Sequence, residues 1–428
     1  MRVWLLTVGE PLPIFDGGSP RLFRTGLLAG VLRARGHEVT WWTSAFDHYG
    51  KRHRVDADTA ATWEGGEIRL LRSVGYRRNL SLSRFVEHTG VARKFAKQAR
   101  SRPPPDVILA SLPTIELAHR AVRFGLANDV PVIVDIRDLW PDVLLNVLPR
   151  SIRWTGRIAL HWLMVKARFV LQRCSGIVGI SDDYLDWGLR LADRKKGPLD
   201  AVFSMGYVRR SAELHIDSGV RDRLTELGVD EGRRICWYVG SFGRTYDLAP
   251  VMFAARSLEE DGRDDIQFVI SGEGELGPRW RDLAKGLTNV VFTGWIGADE
   301  IEWLKRRASI GLQPYAAGAP QGLANKLFEY MSAGIPLVSS LKGENEALLA
   351  NHECGVTYRA GDGQECLEKL LSLLDNEDLR REMGLRAAAA FHEGFDGEMV
   401  LDALADHLEM LAARTRSVSR PRPEAERG

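Results

Sequence analysis

Val3-Trp-Leu-Leu-Thr-Val8, a loop carrying Asp16-Gly17-Gly18, a helical pattern from Leu22 to Arg35 closed by Gly36, then Val39-Thr-Trp-Trp-Thr43: this opening decides the fold. A nearly unbroken apolar run is what a parallel strand needs when both of its faces are covered. Glycine just past a helical pattern is a usual stop signal. Strand, glycine loop, helix and strand in that order make a Rossmann-like unit. The first eight residues also resemble a short signal core, but the run is too short and meets Gly9-Glu10-Pro11 instead of a small-residue cleavage site.

Working outward, Val107–Ala110, Val132–Val134 and Ile177–Ile180 read as further buried strands with helical patterns between them. The register then restarts. Cys236–Val239, Gln267–Ile270, Val290–Thr293, Ile310–Gln313 and Pro336–Ser339 read as a second strand series, with glycine loops after the first two. Two consecutive series predict two Rossmann-like, doubly wound parallel-sheet domains facing a central cleft, with ligands at the carboxyl ends of the strands. The polar stretch Arg194–Gly232 predicts the connection. The expected division is 1–205, 206–394, a last helix near 399–414 packing back on the first domain, and a disordered Arg- and Pro-rich tail at 415–428.

Composition bounds the function. Of 428 residues, 45% are hydrophobic and 27% charged, the profile of a globular chain. Lys plus Arg number 58 against 57 Asp plus Glu, a net charge of +1, which argues against a chain built as a whole to coat nucleic acid. Four cysteines without a C-x-x-C pair predict neither zinc nor a disulfide framework, but buried thiols in a reducing cytosol. No apolar run reaches 18 residues, so no membrane-spanning helix is expected.

The richest segment is Gln321-Gly-Leu-Ala-Asn-Lys326-Leu-Phe-Glu329-Tyr-Met-Ser-Ala-Gly334-Ile-Pro336. Lys326 and Glu329 lie three apart on one helix face. The helix start offers backbone N–H groups to a phosphate or to sugar hydroxyls, and a carboxylate accepts both hydroxyls of a ribose diol. On an isolated helix the same residues would be a solvated ion pair.

This segment resembles the signature of the retaining glycosyltransferases of family four, of glycosyltransferase-B architecture. That signature is Glu, seven residues, Glu, and a short helix ending in Ala-Gly-x-Pro. The resemblance implies that Glu329 binds the nucleotide ribose. Gln321 stands at the first Glu, a departure, and Gly322-Leu323-Ala324 stands where the family's glycine loop meets donor-sugar hydroxyls. Three further segments match in order. Val239-Gly-Ser-Phe-Gly243-Arg244 resembles the glycine loop with its diphosphate-binding Arg; a guanidinium suits a diphosphate by charge and fork geometry. Tyr246-Asp247 replaces the family's following Lys, which leaves Lys326 as the candidate replacement. Ser271-Gly272-Glu-Gly274 resembles the strand-end Gly-x-Gly, and Gly294-Trp295-Ile296 the segment that reads the base.

In the first half, Gly17-Gly18 stands where the family has a glycine pair near the donor diphosphate. The form Lys326-x-x-Glu329-Tyr330 resembles a subgroup that builds bacterial surface polysaccharides, including transferases adding acetamido sugars to lipid-linked intermediates, and Arg137-Asp138-Leu-Trp140-Pro141 resembles that subgroup's Arg-Asp-Leu-Trp-Pro. Arg137 takes the place of a family His, so the resemblance offers Arg137 and Asp138 as catalytic candidates beside Arg244 and Lys326, against a structural Arg–Asp pair at a strand end.

Two basic features are left. Arg150, Arg153, Arg157, His161 and Arg168 share a helical stripe beside Trp154, Ile158, Trp162, Val165 and Phe169, which suggests an interfacial surface on anionic lipid or, equally, a solvated face over a buried one. Lys51-Arg-His-Arg54 with Tyr76-Arg77-Arg78 offers cations to the phosphates of a lipid-linked acceptor. Asp56-Ala-Asp58 lies outside any strand-end context and is rejected as a metal site.

The expected activity is transfer of a sugar, with retention and without metal, from a nucleotide-diphosphate sugar, a UDP-sugar foremost, to a glycan or polyprenyl-diphosphate-linked acceptor. The donor is a co-substrate, no cofactor is required, and no nucleic acid takes part. The expected place is the cytoplasm, at the inner face of the plasma membrane if the acceptor is a lipid. A silent homologue acting as a scaffold and a nucleotide-sugar epimerase of the same fold are the alternatives; a dehydrogenase fails for want of G-x-G-x-x-G after the first strand.

Overall fold

A computed structural model of the 428-residue chain describes all residues except 17–21, 65, 80, 147–149, 209–217, 320–321 and 420–428. Gly17, Gly18 and Gln321 therefore lie outside the described residues. The chain divides into two compact units, Met1–Met205 with Met399–Gly428, and Gly206–Glu398.

The first unit is built on β1 (Arg2–Leu6), β2 (Glu38–Ser44), β3 (Phe46–Asp47), β4 (Arg52–His53), β5 (Thr59–Trp63), β6 (Gly66–Leu71), β7 (Val107–Leu112), β8 (Val132–Ile136), β9 (Gly176–Gly179) and β10 (Ala201–Val202). Its sheet has the order β10-β9-β8-β7-β1-β2-β6-β5, parallel except for the edge pair β5–β6. β3 and β4 form a separate small hairpin. Val3, Trp4 and Leu5 are fully buried, the condition that an unbroken apolar strand meets. Trp4, Trp42 and Phe95 meet edge to face at 5.1–6.1 Å, favourable aromatic geometry, and bind helix Leu82–Ala99 to the sheet.

Helix Gly397–Ser419 returns to this unit. It buries Leu404, Ala405 and Leu408, and Arg35 pairs with Asp402 at 2.7 Å and Asp406 at 2.5 Å. The helix reaches five residues into the stretch read from sequence as tail; residues 420–428 lie outside the described ones.

The second unit holds β11 (Arg234–Val239), β12 (Ile266–Ser271), β13 (Val290–Gly294), β14 (Ala308–Gln313), β15 (Leu337–Ser339) and β16 (Gly355–Thr357) in the order β13-β12-β11-β14-β15-β16, all parallel. From β11 the chain winds outward one way to β13, and from β14 the other way to β16. The switch point lies between β11 and β14, and open α/β sheets bind ligands outside the strand ends there.

One expectation is corrected. The stripe from Arg150 does not run along a single helix: a 3₁₀ turn at Arg150–Ile152 precedes helix Arg153–Ala159, and a second helix, His161–Arg173, starts after an interruption at Leu160. The Leu160 N–H still donates to Gly156 O at 2.9 Å, but Leu160 itself leaves helical geometry (φ −96°, ψ 4°), a local bend that residue periodicity does not register.

Candidate functional site

The carboxyl ends of β11 and β14 are fastened to each other. The N–H of Ala316 donates to Thr245 O at 2.9 Å, and that of Asp247 donates to Pro314 O at 2.8 Å. From the helix after β14, Asn325–Ser332, the fully buried Tyr330 hydroxyl donates to Trp237 O at 3.0 Å and accepts from the N–H of Val239 at 3.2 Å. Tyr330 thus fixes this helix against the end of β11. Its role has no sequence signal beyond its place in the motif.

Among the described residues no side chain caps this helix. Its N-cap is Ala324, in extended conformation, so the first-turn N–H groups have no side-chain acceptor from the cap. One turn on, the Glu329 carboxylate is almost fully buried and meets Lys326 Nζ at 2.5 Å. A buried carboxylate with a single flexible cation as its side-chain partner has lone pairs left for hydroxyls. Gly322 and Leu323 are half-buried just before the helix, and Ala324 packs on Tyr315 and Leu341.

Two glycine loops complete this end of the sheet. The N–H of Gly240 donates to Ser271 O at 3.0 Å, that of Phe242 to Glu273 O at 2.9 Å, and that of Gly272 to Gly294 O at 2.8 Å. A Cβ on Gly272 (φ +140°) would lie 1.8 Å from Gly240 O, and one on Gly274 (φ +157°) 2.9 Å from the Phe242 backbone. Both glycines are needed for this close approach. Gly243 and Arg244 follow in the β11 loop. Arg244 is exposed and forms a pair with Glu275 at 2.6 Å that raises its pKa, an exchangeable surface contact. Trp295, just past β13, is 79% exposed, and Ile296 follows it. The structure thus brings Gly243, Arg244, Gly272, Trp295, Ile296, Gly322, Leu323, Ala324, Lys326 and Glu329 to the carboxyl edge of one sheet.

In the first unit the outcome differs. Arg137 does not pair with its neighbour Asp138. Its Nε donates to Asp135 Oδ2 at 2.6 Å and it pairs also with Glu10; Arg24 Nε donates to the same Asp135 oxygen at 3.3 Å. Thr7, Thr25 and Ser111 join this network. Burial disfavours the charged forms of Asp135, Arg24 and Arg137 and lowers the pKa of Arg24. Even so, Asp135 is held below the usual carboxylate range by Arg137 and Arg24, and Arg137 is raised by Asp135 and Glu10. Asp138 is separate and half-buried; burial raises its pKa, opposed by the Leu139 N–H and Arg84. Arg84 lies over Trp140 at 4.5 Å and over Tyr76 at 5.6 Å.

The loop cations are only partly available. Arg54 is buried against Asp16 at 2.6 Å, and Lys51 reaches Asn79 at 2.5 Å across Tyr76, whereas Arg77 and Arg78 are exposed. Asp58 of the rejected Asp-x-Asp receives Lys94 at 2.7 Å and Gln98 at 2.9 Å. Among the described residues no group of three or more His, Cys, Asp or Glu is arranged to hold a metal ion. Cys236, Cys354 and Cys366 are buried free thiols. Of the apolar flank, Trp154, Ile158, Trp162 and Val165 are exposed, whereas Phe169 packs against the core.

Residues 233–376 match the family model described as glycosyl transferases group 1. The chain is 22% identical over 179 residues to the N-acetyl-alpha-D-glucosaminyl L-malate synthase of Bacillus anthracis, which covers 41% of this chain and 45% of that protein. It is 29% identical over 150 residues to the phosphatidyl-myo-inositol mannosyltransferase of Mycobacterium leprae, covering 35% and 39%. These matches span less than half the length of either relative. Among solved structures, the Anabaena HepE protein in complex with UDP superposes with a TM-score of 0.64 at 15% identity, over 96% of this chain and 100% of that one. The second unit thus contains a glycosyl transferases group 1 domain, and the chain has the two-sheet glycosyltransferase-B fold.

Proposed function

We propose that this chain is a retaining, metal-independent glycosyltransferase that moves a hexosyl or N-acetylhexosaminyl group from a UDP-sugar to a glycan or lipid-linked acceptor in surface polysaccharide or glycoconjugate synthesis. The observation that carries the reading is the uncapped helix Asn325–Ser332 at the switch point, with Glu329 buried one turn in, inside the segment that the family model matches. The donor diphosphate sits on the first-turn N–H groups, Lys326 and Arg244. Glu329 accepts the ribose hydroxyls, and Trp295 with Ile296 meets the base. When the bond from the anomeric carbon to the diphosphate oxygen breaks, negative charge grows on the departing UDP, and these cations and N–H dipoles stabilise it. The acceptor oxygen bonds to the same face of the anomeric carbon and passes its proton to the departing diphosphate oxygen. Gln321, by its place in the sequence just before that helix, belongs to the proposed donor site.

The relatives named for N-acetylglucosaminyl and mannosyl transfer and the UDP-bound HepE support the sugar class and the base. A lipid-linked acceptor would place the chain at the inner face of the plasma membrane. Calorimetric titration with UDP, GDP, ADP and dTDP, without metal, tests the reading. Selective UDP binding is expected; a folded sample that binds no nucleotide refutes it.

A further inference from the structure

We infer that the first unit docks on an anionic lipid bilayer through a face made by helix Leu82–Ala99 and the helices Arg153–Ala159 and His161–Arg173. The inference rests on the proposed function only for the reason to be at a membrane. Its physical grounds are separate.

The first ground is apolar exposure. Leu82 is 83% exposed, Ile158 68% and Trp154 64%, and Val86, Trp162 and Val165 are also exposed. They are not scattered. Leu82 and Val86 recur at helical spacing on one helix, Trp154 and Ile158 on the second, and Trp162 and Val165 on the third. Phe85 and Trp162 join the two sets, edge to face at 5.9 Å. Contiguous exposed apolar surface marks an interaction site.

The second ground is charge. Residues 77–100 hold seven Arg and Lys and one acid, Glu87, which is fully buried and bonded to Ser44 Oγ and the Gly75 N–H. Residues 150–173 hold six Arg and Lys and no acid. In a chain of net charge +1 the remainder is therefore net negative, and the basic excess is gathered here. Some of it is engaged, as where Lys94 meets Asp58 and Arg168 meets Asp193. Lys166 lies over the Trp162 ring at 4.5 Å, an aromatic body with a cation on its face. Arg and Lys that extend stems along apolar surface while keeping their heads in water, with Trp between them, suit the headgroup layer. Among the described residues no helix is long and apolar enough to cross a membrane, so the contact is lateral. A protein partner would need to supply a face both acidic and apolar; an anionic bilayer supplies both.

Co-sedimentation of the full chain with phosphatidylcholine vesicles, and with equimolar phosphatidylcholine and phosphatidylglycerol, tests this, with UDP titration on the same samples. Binding to the mixed vesicles alone, weakening as salt rises, is expected. Leu82→Ser with Ile158→Ser should lower vesicle affinity roughly tenfold, as about 1.4 kcal/mol of lost burial would, and leave UDP affinity unchanged. Arg157→Glu should weaken only the anionic preference. Equal binding to neutral vesicles, a double variant that sediments like the parent, or self-association of the parent that the double variant abolishes would each overturn the inference. A parent that binds vesicles but no UDP would refute the transferase reading and leave the docking face standing.

Discussion

Glu329→Gln separates charge from shape at the centre of the proposed donor site. The wild-type carboxylate is buried with Lys326 as its cation, and the amide has nearly the same volume. Hydrogen bonds to a charged acceptor contribute about 1.5–3 kcal/mol, so UDP affinity should fall roughly 10- to 150-fold. Lys326 is partly exposed, so leaving its ammonium uncompensated should cost only about 1 kcal/mol of stability, and the variant should fold. The decisive assay is a cycle of four calorimetric titrations, wild type and variant each with UDP and 2′-deoxy-UDP. If Glu329 holds the ribose diol, removing the 2′-hydroxyl weakens binding to the wild type roughly tenfold and to the variant hardly at all, because the interaction is already gone. The same ratio in both proteins would refute the assignment, whatever the absolute affinities.

Three further outcomes follow from the geometry. Gly272→Ala places a Cβ against Gly240 O at a φ unfavourable to side chains; it should cost about 1–3 kcal/mol and weaken UDP binding, so a variant with wild-type melting and affinity would show that the loops do not need this approach. Asp135→Asn leaves Arg24 and Arg137 buried with one carboxylate fewer, and should lower unfolding free energy by about 3–5 kcal/mol; a urea midpoint within error of wild type would contradict the network. Burial together with nearby cations holds His48 near 4, His88 near 3 and His119 near 4, so the folded state keeps these imidazoles neutral. The unfolded chain takes up their protons below about 6.5, so stability should be fully present above that pH and fall as the pH drops towards 4. Burial raises Glu116 and Asp138 and opposes this trend, so the clean comparison is His88→Gln, whose urea midpoint should fall less steeply between pH 7 and 5; equal slopes would refute the reading.

Much of both units was legible because a strand buried on two faces tolerates little but β-branched, aromatic and leucine side chains. β1, β7, β8, β11 and β12 all meet that condition. β5 was not legible: at the sheet edge it alternates half-buried and exposed residues over Thr59–Trp63, a pattern a polar loop shares. Lys326 and Glu329 were legible as partners because one helical turn brings them together, and the helix needs nothing distant to do so.

Arg137 shows where local reading stops. Sequence adjacency offers Asp138 as its partner, but at the end of an extended strand neighbouring side chains point to opposite faces while residues two apart share one. The Arg137 guanidinium therefore reaches Asp135. Its second partner, Glu10, lies 127 residues away in the loop after β1, and only the β8-β7-β1 order brings the two loops together. The lipid-docking face was hidden for a related reason. Helical periodicity along residues 150–169 assigns the basic and apolar stripes but cannot say which is outside; that depends on helix Leu82–Ala99, whose Phe85 meets Trp162. A net charge of +1 conceals the same face, because acids elsewhere in the chain cancel the thirteen Arg and Lys gathered in two segments, and only folding shows that these segments are neighbours.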